Sequence, residues 1–215
     1  MLKDILVYKQ EEIERVLKLA FELAENRSKN LVSVDKANVL ISSKLWKELA
    51  DKISKEYGEV KLRHMLVDSF AYNLIKNPKD FDVVVTENLF GDILTDEAAI
   101  LVKSLGMLPS ASIGYKLKNG LYRGLYEPVH GSAPDIANQN LANPIGTILS
   151  VSLMFKYSFN LVNISNLIEQ AVINNIRQGF LTKDISTIYK TTSEVADNIK
   201  NIFKSLLIKE LQLIS

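Results

Sequence analysis

Apolar positions in the first hundred residues switch repeatedly between two spacings. In some segments apolar residues recur every three or four positions, which predicts amphipathic helices, and in others they form short runs or alternate, which predicts strands. The predicted strands are 31–34, 60–66 and 83–86. The predicted helices are 10–27, 42–57, a short one around 71–75, and 88–106. Because strands alternate with helices, we expect an α/β sheet with helical cover.

The spacing changes after residue 106. Seven prolines and glycines are spread over residues 107–143, which predicts a loop-rich region, and a loop region of this length is usually functional. Helical spacing then returns, with Asn143 as the cap of a helix that reaches Tyr157, Gly179 as the end of the next, and Thr192 or Ser193 as the cap of the last. We therefore expect two parts, 1–103 and 104–215.

Composition excludes several classes of function. The chain has 215 residues, 47% of them hydrophobic and 24% charged, as in an ordinary globular protein, and its net charge of +1 provides no basic surface for nucleic acid. It contains no cysteine, which excludes disulfides, thiolate metal sites and cysteine nucleophiles. No apolar stretch approaches the roughly 20 residues that span a bilayer. Without an apolar signal segment at Met1, we expect a cytoplasmic protein that is not bound to a membrane.

Two carboxylates four residues apart are the strongest candidates for chemistry. Asp92 and Asp96 follow the apolar run at 83–85 and lie near the start of a predicted helix, where this spacing places both on one face. Carboxylate oxygens are the ligands that Mg²⁺ and Mn²⁺ prefer. The alternative is a solvated helix start, because acidic residues are favoured there by the helix dipole in any case.

Other polar residues also follow the predicted strands. Lys36 and Asp68 each lie just beyond one, although a lone lysine is more often a surface residue. Residues 127–135 form a Pro- and Gly-containing loop whose small residues let a ligand approach the backbone, and Asp135 could accept hydrogen bonds from ribose hydroxyls. An ordinary turn is the alternative, because the loop lacks the glycine patterns of the common phosphate loops.

In these segments the sequence resembles the β-decarboxylating dehydrogenases of 2-hydroxy acids, the isocitrate/isopropylmalate dehydrogenase family. The resemblance covers essentially the whole chain, in order, and residues 104–112 look like the isopropylmalate branch. The matching segments are 33–40, 88–97, 104–112, 125–135 and 140–144. It implies that family's α/β fold, which is not a Rossmann fold, with 1–103 as part of the central dimerisation and substrate domain and 104–215 as the C-terminal part of the cofactor-binding domain.

The resemblance also implies roles for individual residues. Lys36 matches the catalytic lysine, which reaches the active site of the partner subunit in a homodimer. The implied metal ligands for Mg²⁺ or Mn²⁺ are Asp92 and Asp96 of the subunit itself and Asp68 from the other subunit. The implied cofactor-binding residues are His130, Gly131, Ser132, Ala133, Asp135, Ile136 and Asn143. Asp135 followed by Ile136 looks like the NAD-using pattern, because NADP-using relatives carry Lys-Tyr there.

The activity implied is the NAD-dependent oxidative decarboxylation of 3-isopropylmalate to 4-methyl-2-oxopentanoate in leucine biosynthesis. Family members are markedly longer, and the portion without a counterpart includes the arginines that bind the substrate carboxylates. We therefore expect this chain alone to be inactive. Three alternatives remain: a sister dehydrogenase acting on isocitrate, homoisocitrate or tartrate, a non-catalytic dimerising remnant, and a general divalent-metal-binding domain.

Overall fold

The computed structural model describes residues 2–214, which form two compact units. The N-terminal unit ends at Leu101 and the C-terminal unit begins at Val102. The predicted division lies close by, at Lys103, and the roles assigned to the two parts stay predictions.

A parallel sheet of three strands organises the N-terminal unit. Its strands are β1 (Asn30–Asp35), β2 (Lys61–Leu66) and β3 (Val83–Val85), in the spatial order β2-β1-β3. Its helices are α1 (Gln10–Glu25), α2 (Ile41–Ser54), α3 (Val67–Lys76) and α4 (Asn88–Ala98), and Pro78–Asp80 form a 3₁₀ turn. The predicted alternation of strands and helices is confirmed, with boundaries that shift by a few residues.

Strand β1 is buried on both of its faces, which makes it the centre of this unit. Leu31 packs into a core with residues of α1 and α2, whereas Val32 and Val34 pack into a second core with residues of α3 and α4. Ser33 faces α2, because the indole Nε1 of Trp46 donates a hydrogen bond to its hydroxyl at 3.0 Å. Side chains alternate along a strand, so one strand fixes the helices on both sides of the sheet.

The predicted helix 88–106 ends early. Helix α4 stops at Ala98, 3₁₀ turns follow at Ala99–Val102 and Leu105–Met107, and Lys103 between them has a left-handed backbone with φ +68°. The Ser104 hydroxyl accepts a hydrogen bond from the Gly106 N–H at 2.9 Å, which fixes the second turn. No glycine or proline stands at the break, so the local pattern did not indicate it.

The region predicted as loop contains an antiparallel hairpin. Strands β4 (Pro109–Lys116) and β5 (Tyr122–Pro128) pair in the C-terminal unit. Gly120 permits the tight connection because its φ is +83°, and its N–H donates to the Leu117 carbonyl at 2.9 Å. The prediction of a loop-rich region missed these two strands, because prolines and glycines inside them obscured the pattern.

Three helices complete the C-terminal unit, namely α5 (Ile145–Tyr157), α6 (Val162–Arg177) and α7 (Thr192–Ile214), after a 3₁₀ turn at Pro134–Ile136. Their shared core buries Ile145, Ala171, Val172, Val195 and Ile199. The residue that caps α7 is Thr191, one position before the predicted cap, and it exchanges hydrogen bonds with Glu194. None of the helices within residues 2–214 has the length and apolar character needed to traverse a membrane.

Replacing Phe21 with alanine should lower the free energy of unfolding of the N-terminal unit by about 3–5 kcal/mol, because a fully buried ring leaves a cavity. Phe21 is 0% exposed and stacks on Tyr57 with ring centroids 5.0 Å apart. Urea unfolding followed by the fluorescence of Trp46, the only tryptophan, would measure it. The control Tyr72→Ala, at a 65% exposed ring, should change stability by about 0.5 kcal/mol or less; equal effects would contradict the assigned core.

Candidate functional site

The carboxyl ends of the three parallel strands lie at one edge of the N-terminal sheet, where ligands bind in many α/β proteins. Lys36 follows β1, Asp68 lies in the first turn of α3 directly after β2, and α4 follows β3 by two residues. The segments that carry Lys36 and the three predicted metal ligands therefore begin at the same edge.

Lys36 and Asp68 contact each other. The Lys36 ammonium donates a hydrogen bond to Asp68 Oδ1 at 2.5 Å. This hydrogen bond lowers the pKa of the Asp68 carboxyl below its ordinary value, and the positive charge of Lys36 adds to the effect. The turn that carries Lys36 is itself fixed, because Asp35 accepts a hydrogen bond from the Ala37 N–H at 2.8 Å. Two predicted site residues thus form one ion pair.

Asp92 and Asp96 share one face of α4, as the spacing predicted, and both are exposed. Neither side chain makes a hydrogen bond or ion pair with another residue in 2–214, so their oxygens are free for a ligand. No group of three or more His, Asp or Glu side chains that could hold a metal occurs among the described residues. Two carboxylates still suit Mg²⁺, which is commonly held by one or two carboxylates and several waters. Asp92 and Asp96 can therefore supply two of the ligands of a divalent-metal site.

A pocket in the C-terminal unit gathers most of the predicted cofactor residues. Its volume is about 510 Å³, within the range of about 300–1,000 Å³ that is usual for small-molecule sites. The lining includes six predicted residues, namely His130, Gly131, Ser132, Ala133, Ile136 and Asn143. Asp135 is not part of the lining; it is exposed on the adjoining 3₁₀ turn, where its backbone carbonyl accepts a hydrogen bond from Gln139 Nε2 at 2.7 Å.

The pocket loop is held in an uncommon backbone conformation. Ala133, Asn138 and Asn140 all have left-handed φ values, of +40°, +62° and +58°. Such residues persist only where surrounding contacts hold them, and they cluster at ligand sites. The Asn140 amide supplies such contacts, because its Nδ2 donates to the Ser193 hydroxyl at 2.8 Å and its Oδ1 accepts from the Ser193 N–H at 3.0 Å. The start of α7 therefore anchors the loop.

Asn143 joins the pocket to the start of α5. Its Oδ1 accepts a hydrogen bond from the Ile145 N–H at 3.0 Å, so it caps this helix as the sequence predicted. Its Nδ2 donates to Asp184 Oδ2 at 3.1 Å. Both ends of the amide have partners, so the side chain presents a fixed edge to the pocket.

Asp184 is a pocket residue that sequence reasoning missed. It lies in the connection between α6 and α7, where nothing in the local sequence sets it apart. Partial burial by itself raises the pKa of its carboxyl, but hydrogen bonds from groups that include the Ser104 hydroxyl and the Asn143 amide outweigh burial, so its pKa lies below the ordinary value. A negative charge therefore lines the pocket at neutral pH.

Comparison with known proteins defines the class. The family model described as isocitrate/isopropylmalate dehydrogenase matches residues 2–199, and the chain belongs to that family. Similar solved structures include isocitrate dehydrogenase from Methylococcus capsulatus, with a TM-score of 0.85 and 35% identity over 94% of this chain and 58% of that one. A β-decarboxylating dehydrogenase from Thermococcus kodakarensis has a TM-score of 0.81 and 38% identity over 95% and 58%. The predicted fold class is confirmed.

Within the family, similar curated relatives are named 3-isopropylmalate dehydrogenase. The protein from Pseudomonas fluorescens is 50% identical over 206 residues, which cover 94% of this chain and 56% of the relative. The protein from Dehalococcoides mccartyi is 56% identical over 183 residues, which cover 85% and 50%. The predicted resemblance is confirmed, and the chain spans about half the length of the curated relatives it matches.

Replacing Asp184 with asparagine should destabilise the protein at pH 7 by about 1 kcal/mol, because the hydrogen bonds to a charged acceptor are weakened and the site is partly exposed. The pKa of the Asp184 carboxyl in the folded protein lies below its ordinary value. The extra stability of the wild type is therefore fully present above the ordinary pKa and is lost as the pH falls through the folded pKa.

Thermal melting followed by circular dichroism from pH 7 down to pH 3 would measure this difference. We expect the gap in melting temperature between wild type and Asp184→Asn to narrow as the pH falls. Asp135→Asn is the matched control, because the Asp135 side chain is exposed and makes no hydrogen bond within residues 2–214, and its gap should stay small throughout. A difference in melting temperature for Asp184→Asn that stays constant with pH would contradict the lowered pKa of the Asp184 carboxyl.

Proposed function

We propose that this chain supplies part of an NAD-dependent 3-isopropylmalate dehydrogenase, which acts in leucine biosynthesis. The observation that carries the proposal is the pocket: six residues matched to the cofactor loop line one cavity of suitable size. The identity of 50–56% to relatives named 3-isopropylmalate dehydrogenase supports the choice of substrate. A cytoplasmic location accords with this role and stays a prediction.

In the proposed reaction the C-terminal unit binds the adenosine half of NAD⁺. The fixed amide of Asn143 and the small residues at 131–133 let an adenine ring and a ribose approach the loop backbone. Asp135 lies one residue outside the lining on the neighbouring turn, where its carboxylate can accept hydrogen bonds from ribose hydroxyls and repel a 2′-phosphate. The cofactor itself supplies the hydride acceptor.

The N-terminal unit supplies groups for the metal and for proton transfer. Asp92 and Asp96 would hold Mg²⁺ or Mn²⁺, which would act as a Lewis acid toward the substrate hydroxyl. Lys36, acting as the neutral amine, would take the hydroxyl proton while the hydride leaves C2 for NAD⁺. CO₂ would then leave the resulting β-keto acid, and the enolate that remains would take up a proton. We infer that Lys36 and Asp68 serve the site of a second subunit, as the family resemblance implies, because Asp92 and Asp96 have no third metal-binding side chain beside them within residues 2–214.

The cofactor assignment predicts that NAD⁺ raises the melting temperature of the purified chain in a saturable way, whereas NADP⁺ does so less. Gly131→Ala tests the pocket, because a Cβ at Gly131 has no atom within 4 Å and so leaves the fold intact while adding a methyl group to the lining. We expect an unchanged melting temperature without ligand and NAD⁺ binding weakened by about tenfold, since overpacking costs about 1–3 kcal/mol.

Gly58→Ala is the matched control for that experiment. A Cβ at Gly58 also meets nothing within 4 Å, and the residue belongs to the N-terminal unit and is not part of the pocket lining. It should leave NAD⁺ binding unchanged. A wild-type chain whose melting temperature does not respond to NAD⁺ would contradict the proposed cofactor site. Stabilisation by Mg²⁺ without any effect of NAD⁺ would favour a general divalent-metal-binding domain.

The substrate is tested by turnover of a protein that carries this chain and has the full length of its relatives. We expect 3-isopropylmalate to be oxidised with a higher kcat/KM than isocitrate, homoisocitrate or tartrate, and the activity to disappear when EDTA removes divalent ions. The similarity to an isocitrate dehydrogenase structure makes isocitrate the main competitor. Preference for isocitrate would overturn the substrate, and a full-length protein inactive on all four acids would favour a dimerising remnant.

A further inference from the structure

Two side chains without a role in the proposed reaction fix the start of the helix that carries Asp92 and Asp96. Glu87 is the N-cap of α4 and is 8% exposed. Tyr8 comes from the irregular segment before α1, 79 positions away, and its hydroxyl donates a hydrogen bond to Glu87 Oε2 at 2.6 Å. A buried carboxylate needs such partners, because an unpaired charge inside a protein is costly.

Together these two side chains satisfy the first three N–H groups of α4. The Asn88 N–H donates to the Tyr8 hydroxyl oxygen at 3.3 Å. The N–H groups of Leu89 and Phe90 donate to the two oxygens of Glu87, at 3.0 and 2.8 Å. Helix starts leave these groups without intrahelical partners. Shorter side chains are the preferred caps; here the longer glutamate reaches two N–H groups with separate oxygens.

The proton on Tyr8 is held firmly. Partial burial raises the pKa of the phenol above its ordinary value, and the hydrogen bond to Glu87 raises it further. The hydroxyl therefore donates to Glu87 and accepts from Asn88 throughout the physiological pH range. Its geometry defines where the first turn of α4 lies relative to the segment before α1.

Asp92 lies about one turn beyond this cap and Asp96 about one turn further along the same face. A divalent cation such as Mg²⁺ demands ligand distances of about 2.0–2.1 Å, so a first turn that frays or rotates would spoil the alignment of the two carboxylates. Functional groups must generally be held within about 0.5 Å of their productive positions by supporting contacts.

We propose that Tyr8 and Glu87 are positioning residues that orient the start of α4 so that Asp92 and Asp96 bind one divalent cation together. The proposal rests on the proposed function, since that is what assigns a metal to these carboxylates. The proposed pair includes Tyr8, which lies 79 positions before Glu87 in the sequence, so no local motif around Asp92 would indicate this contact.

Mn²⁺ binding to the full chain tests the proposal, measured by electron paramagnetic resonance below the melting temperature of every variant. Tyr8→Phe removes the hydroxyl and keeps the ring, and Glu87→Gln keeps the shape and removes one acceptor. We expect each to weaken Mn²⁺ binding by about three- to tenfold, the effect of losing one or two hydrogen bonds. Amide hydrogen exchange should accelerate at residues 88–90.

Asp82→Asn is the matched control. Asp82 directly precedes β3, whereas Glu87 follows it, and its carboxylate accepts hydrogen bonds from Ser28 and Arg27 instead of from α4. This variant should lower the melting temperature while its Mn²⁺ affinity stays within about twofold of wild type. A comparable loss of Mn²⁺ affinity in the control would mean that general destabilisation explains the effect, and would overturn the proposal.

Two further outcomes separate this proposal from the proposed function. Wild-type Mn²⁺ affinity in Tyr8→Phe and Glu87→Gln, with faster exchange at residues 88–90, would reduce the pair to a helix cap and overturn only the positioning role. Mn²⁺ binding that is absent in the wild type, or that survives Asp92→Asn combined with Asp96→Asn, would overturn the metal site and the positioning role with it.

Discussion

The parallel pairing of β1 with both of its neighbours is the constraint on which the N-terminal unit depends. Because β2 and β3 run in the same direction as β1, all three strands end at one edge, and the segments after them begin there. Burial of β1 on both faces leaves little freedom for a register shift, since a slip by one residue would exchange Leu31 and Val32 between two different cores. The positions of Lys36, Asp68 and α4 follow from this pairing.

The carboxylates at this edge fall into two kinds. Asp68 has an ion-pair partner within the chain, in Lys36, and its charged form is favoured by that contact. Asp92 and Asp96 have exposed oxygens with no protein partner in residues 2–214, whereas Glu87, buried close by, is occupied by Tyr8 and by α4 itself. Glu87 therefore holds structure in place, Asp68 is paired with Lys36, and Asp92 and Asp96 remain available for a ligand.

In the pocket of the C-terminal unit, side-chain hydrogen bonds hold a loop backbone that is neither helix nor strand. Asn140 binds the start of α7, and Asn143 caps α5 while it contacts Asp184. Two helices and a loop are thus joined through amide groups that can donate and accept at once. A site formed this way is preorganised, because the loop does not have to lose its conformational freedom when a ligand binds.

The sequence by itself determined the succession of strands and helices in the first hundred residues, the placement of Asp92 and Asp96 on one helix face, and the family. These follow from local periodicity and local motifs, which do not need the rest of the chain. Only the tertiary structure decided that α4 ends at Ala98, that 109–128 form a hairpin, that Asp184 lines the pocket and that Tyr8 binds Glu87. Each of these depends on left-handed backbone or on partners far away in the sequence, and no local pattern encodes a contact across 79 residues.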